Sequence, residues 1–87
     1  MEIKVFDLQI DDANEAEMAA HGVDAEEVYQ VLDSGAWTLK RNHGPQADLR
    51  PYIMVGLTEN GRLLYIPIQP VDRESGLWRP ATAFTPS

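Results

Sequence analysis

Tyr52 to Ile68, YIMVGLTENGRLLYIPI, constrains the fold of this chain more than any other stretch. Two apolar runs flank Asn60-Gly61, a dipeptide suited to a type I′ turn, in which both central residues need positive φ. The pattern predicts a β-hairpin. With a two-residue turn, Glu59 faces Arg62, Leu57 faces Leu64, Val55 faces Ile66 and Ile53 faces Ile68, which makes one face apolar along its length. A three-residue turn with a G1 bulge would pair Thr58 with Arg62 and mix Met54, Gly56 and Thr58 with Leu64 and Ile66, a poorer core surface. The first register is therefore expected, with Arg50, Tyr52, Met54, Thr58 and Tyr65 on the hairpin's second face.

Upstream, Glu2 to Asp7 alternates charged and apolar residues, with Ile3 and Val5 on one side, as a short strand at or near a sheet edge would. An aspartate N-cap at Asp11-Asp12, with Glu15 in capping-box position and Gly22 as the C′ residue, predicts a helix of two or three turns. His21 in its last turn would complement the macrodipole when protonated. The next helix has the clearest local signals: Val23 at N′, Asp24 at N-cap, Glu27 at N3 and Val28 at N4 give a capping box and a hydrophobic staple. Ala25, Val28, Leu32 and either Tyr29 or Val31 form its apolar stripe, and Ser34-Gly35 ends it.

Trp37 to Asn42 reads as a strand leading into the loop HGPQAD. Pro67 and Pro70 lack backbone donors, so the second hairpin strand is expected to end early or to expose an edge there. Leu77 to Thr85 reads as a last strand, with Trp78, Thr82 and Phe84 on one face and Arg79 on the other. The expected fold is α+β, one domain over residues 1–87. It has a short N-terminal strand and two helices packed on one face of a three- to four-stranded antiparallel sheet. Any active surface would lie on the far side of that sheet.

The charge is unevenly placed. Residues 1–34 carry ten acids and one base (net −9), residues 35–87 six bases and four acids (net +2), for a total of −7. All five arginines fall in the second half, so a locally basic site on an acidic protein is expected beside the plainer reading of scattered solvated cations. No run approaches the roughly 20 apolar residues of a membrane span, and the start lacks a signal-peptide pattern, so a soluble cytoplasmic protein is expected. There is no cysteine, and Gly44, Gly56, Gly61 and Gly76 are isolated, which leaves no phosphate loop. His21 and His43 do not have metal-ligand spacing, so no metal and no cofactor is expected.

What remains is a set of cations and phenols: Lys40, Arg41, His43, Arg50, Tyr52, Arg62, Tyr65 and Arg79, all on or beside the sheet. Arginine can clamp phosphate charge, while histidine, tyrosine or lysine can exchange a proton.

A helix ending in HGV, then DAEEVYQVL, a basic strand, R-x-Y-x-x-x-G-x-T-x-x-G-R-L-L and a terminal strand WRPATAF resembles the BrnT-like toxins of the RelE/ParE superfamily. The likeness is best over His21 to Leu64. It implies a RelE-like fold and a small ribonuclease toxin that cleaves RNA without a metal, by attack of the ribose 2′-OH. The RNA would be free or ribosome-associated, and a cognate antitoxin with a ribbon-helix-helix part would neutralise the toxin. Arg50, Arg62 and Arg79 match the family's basic positions and would hold the phosphate, with His43 or Tyr52 exchanging the proton and Lys40, Arg41 and Tyr65 contacting RNA. His21 matches the family's histidine before Gly-Val. The rival reading is a non-catalytic protein-interaction module using the exposed sheet face with Tyr52, Met54 and Tyr65, which the acidic total charge favours.

Overall fold

The computed structural model describes residues 3–86; Glu2, placed in the first strand from the sequence, lies outside them. The elements run β1 (Asp7–Leu8), α1 (Asp12–Ala20), α2 (Ala25–Ser34), β2 (Thr38–Arg41), β3 (Tyr52–Leu57), β4 (Leu63–Asp72) and β5 (Leu77–Pro80). The sheet is five-stranded and mixed, in the order β1-β5-β4-β3-β2. Strands β2 to β5 pair antiparallel, and β1 lies parallel beside β5 at the edge. The expected antiparallel sheet of three or four strands thus gains a parallel edge strand, shorter than Glu2 to Asp7 and shifted to Asp7–Leu8.

The hairpin forms in the register the sequence argued against. Thr58 N–H donates to Arg62 O at 2.9 Å and Gly61 N–H to Thr58 O at 2.9 Å, enclosing a three-residue turn. The ladder then runs Leu57↔Leu63, Gly56↔Leu64, Met54↔Ile66 and Tyr52↔Ile68. Gly61 has φ +81°, and no described residue other than glycine has positive φ, so the type I′ turn is absent and Gly61 makes the bulge. A buried Thr58 hydroxyl, accepting from Arg62 N–H at 3.1 Å, closes the turn.

This one-residue slip turns β3 over relative to the expectation. Met54, Gly56, Leu64, Ile66 and Ile68 face the helices and are fully buried or nearly so, while Ile53, Val55, Leu57, Leu63 and Tyr65 face outward. Gly56 is what lets α2 approach: a Cβ there would lie 2.7 Å from Val31 Cγ1 and 3.1 Å from Trp37 Cβ. The core joins Val28 and Val31 of α2, Met18 of α1, Val5, Leu8, Val23, Trp78 and Ala83 to these strand residues.

The α2 cap is as expected. Asp24 accepts from Glu27 N–H, and Glu27 accepts from Asp24 N–H. In α1 the cap is Asp11 and its partner is Asn14, not Glu15. Asn14 is buried, and unlike a carboxylate its amide can both accept from Asp11 N–H (2.8 Å) and donate to Gln9 O (2.9 Å), which leaves no buried charge.

The prolines do not end β4, which continues to Asp72. Pro67 sits opposite Ala81, whose N–H donates to Pro67 O at 2.9 Å, so one ladder bond is made and only the reciprocal one is lost. Pro70 lies past the Tyr52↔Ile68 pair, beyond the first residue of β3, so no partner strand stands on that side. After Pro80 the chain shifts phase: Ala81 and Ala83 are buried, and Phe84 forms an isolated bridge with Tyr65. Trp78 therefore does not share a face with Thr82 and Phe84, contrary to the alternation in the sequence.

The turn geometry makes its two central residues unequal. Gly61→Ala should lower stability by about 1 kcal/mol, because alanine resists positive φ, while Asn60→Ala should stay within about 0.5 kcal/mol. Denaturant midpoints of the two variants check this; equal losses would restore the type I′ turn and with it the other register.

Candidate functional site

The eight candidate residues do not converge on one place. Arg62 projects from the hairpin tip to α2, its Nη1 donating to Glu27 at 3.0 and 3.1 Å and to Gly22 O at 2.8 Å. It is a structural tie between the turn and the helix start. Arg79 makes a two-point contact with Asp11, Nε to Oδ2 at 2.8 Å and Nη2 to Oδ1 at 3.1 Å, so the cap of α1 is fastened to β5. Tyr52 is drawn to the helix side by the register and packs edge-on against buried Trp78, ring centroids 5.9 Å apart, with the Arg73 guanidinium 5.2 Å from the same indole.

The loop between β2 and β3 gathers a second group. Asn42 closes its base: its backbone N–H donates to Pro51 O at 2.9 Å, its Nδ2 to Arg50 O at 2.8 Å, and its Oδ1 accepts from Gly44 N–H. Arg41, opposite Tyr52, is exposed at the end of β2, and exposed His43 follows in the loop. Arg50 is half-buried, and its Nε has no hydrogen-bond partner among the described residues.

Lys40 and Tyr65 do come together, across β3 and on the outward face. The Lys40 ammonium lies 5.5 Å from the Tyr65 ring centroid. Tyr65 exchanges two backbone hydrogen bonds with Phe84, of 2.8 and 3.0 Å, which holds the two rings side by side with centroids 6.0 Å apart. His21, the C-cap of α1, continues the line at 6.1 Å from Phe84. Lys40, Tyr65 and Phe84 thus line up on the sheet face that the core leaves free, and His21 meets Phe84 from the end of α1. Lys40 and Tyr65 were expected there; Phe84 was not, because the unbroken alternation through Pro80 assigned it to the face of Trp78.

A cleft of about 370 Å³ on the helix side is lined by Glu26, Tyr29, Gln30, Asp33, Ser34 and Glu59. Its three carboxylates repel anions, so a phosphate ligand belongs elsewhere. Among the described residues no three His, Asp or Glu side chains are grouped to hold a metal ion, and no helix is long and apolar enough to cross a membrane.

No family model, curated protein or solved structure matches this chain.

The Arg79 contact, more than the backbone amide of Asn14, holds the Asp11 carboxyl below its ordinary value of 3.8. A carboxyl depressed in the folded state contributes stability above its unfolded pKa and loses it as pH falls through the folded value. The Arg79→Met variant should therefore melt lower than the wild type at neutral pH, with the difference shrinking as pH drops below 3.8. Melting midpoints across acid pH check it; a gap constant with pH would mean that the pair contributes only packing.

Proposed function

We propose that this chain is a ribonuclease toxin of the BrnT-like kind, acting on RNA at the outward sheet face without a metal. The observation that carries the reading is the line of Lys40, Tyr65 and Phe84, a cation and aromatic surface on the outward sheet face, with the His21 imidazole at the end of α1 beside Phe84. The resemblance over HGV, DAEEVYQVL and GLTENGRLL supports it independently.

In the reaction the ribose 2′-oxygen attacks phosphorus, the bond to the 5′-oxygen breaks, and a 2′,3′-cyclic phosphate remains. The 2′ proton goes to a base, and the leaving oxygen takes up another. Lys40 is placed to neutralise phosphate charge on this face; Arg41, opposite Tyr52, ends β2 on the helix side, and Arg50 lies in the loop that follows. The exposed imidazoles of His21 and His43 and the Tyr65 hydroxyl are the groups able to exchange protons. Arg62 and Arg79 serve the fold in this reading, each engaged by its own carboxylate. A ribbon-helix-helix antitoxin is the partner that the same reading requires.

A second reading has its own observation. Leu57 and Leu63 face each other at the hairpin tip on the outward face, 54% and 38% exposed, and a protein partner could cover them without any catalysis.

The test is RNA cleavage by purified protein with chelator present, on free transcript and on translating ribosomes. The wild type should leave cyclic phosphate ends, and Lys40→Ala should cut about 100-fold more slowly, with its melting midpoint unchanged. Equal cleavage by Lys40→Ala would remove the site from this face, and no cleavage by either folded protein would favour the docking module.

A further inference from the structure

We infer that Phe84, with Tyr65 beside it, is a platform on which unpaired nucleobases stack, so that the outward face holds RNA by its bases as well as its phosphates. The inference rests on the RNA reading above and adds to it a residue and a mode of recognition.

Three features support it. The Tyr65–Phe84 pair is fixed by two backbone hydrogen bonds, so both rings are presented on one face with little backbone freedom left to lose on binding. The rings are tilted against one another, by 45° for Tyr65–Phe84 and 56° for His21–Phe84. None lies flat on its neighbour, so the rings are not used up in stacking on one another; Lys40 lies over the Tyr65 ring, and the Phe84 ring carries no such cation. Phe84 is half-buried, and Lys40 and His21 are exposed.

The third feature is charge. A protein of net charge −7 cannot rely on many phosphate contacts, and on this face the line supplies one lysine. Aromatic stacking is the recognition chemistry that needs no further cations, because every base has a π-face. It also selects strandedness: in a duplex the base faces are covered by their neighbours and only groove edges are offered. Phe84 would therefore favour single-stranded RNA, and binding would depend weakly on salt. For single strands log K falls with log salt at about −0.7 per phosphate neutralised, so one or two contacts give a slope of roughly −1.

The test uses the full chain and a mixed-sequence 2′-O-methyl oligonucleotide, which lacks the attacking hydroxyl, beside an abasic oligonucleotide with the same phosphates. The wild type should prefer the base-bearing probe by roughly 5- to 150-fold, the range expected for one stacked base. Phe84→Leu, which keeps an apolar side chain, should lose that preference, Phe84→Trp should keep it, and Lys40→Ala should weaken both probes alike. Melting midpoints establish that each variant is folded. If folded Phe84→Leu keeps the wild-type preference, or the wild type binds both probes equally, Phe84 only packs the end of the chain; cleavage by the wild type would then leave the RNA reading standing. If the wild type neither binds a probe nor cleaves RNA, both fall together.

Discussion

Gly61 takes the positive φ while Asn60 does not, and this one turn decides which half of the hairpin meets the helices. Three residues in the turn place Met54 opposite Ile66 and Gly56 opposite Leu64, and the core follows from those pairs. The missing side chain at Gly56 becomes the contact point for Val31 and Trp37, so α2 lies close to the sheet. The same register sends Tyr52 inward to Trp78 and leaves Tyr65 outward under Lys40. Fold and surface chemistry therefore share a single geometric origin.

Features set by neighbouring residues were legible in the sequence, and features set by distant ones were not. The α2 start could be read from Val23 to Val28 because capping box and staple act within one turn. The hairpin itself was equally plain, but its register was not, since both registers offered apolar residues to a core. What decides between them is tertiary: the close approach at Gly56 and the burial of Thr58 with its hydroxyl satisfied by Arg62. Burial also moved the α1 cap partner from Glu15 to Asn14, because a charge could not take that buried place.

The candidate site was legible in part for the same reason. Arginine in a strand signals a cation, but not what will neutralise it. The carboxylates that hold Arg62 and Arg79 stand 35 and 68 residues earlier in the chain, so no local pattern announces the pairs. Removing either arginine exposes a helix-start carboxylate as well as deleting a positive charge, which makes both poor probes of catalysis. Lys40 and Tyr65, 25 positions apart, were both in the candidate set, yet their contact exists only because β2 and β4 flank β3 in the observed register.

The acidic total charge bears less on the outward face than its size suggests. Ten of the fourteen acids precede Gly35, in the segment that forms β1 and both helices. A helix with its side chains is about 10 Å across, so acids on its outer side stand about that far from the sheet, with solvent around them. At physiological ionic strength the screening length is about 8 Å, so those charges act on a phosphate at Lys40 only through a strongly damped field. The nearer terms are Lys40 itself and the aromatic ring beneath it, 5.5 Å away, whose negative face holds the ammonium over the sheet. An anionic ligand at that point meets a local cation first and the protein's net charge only as a weak background.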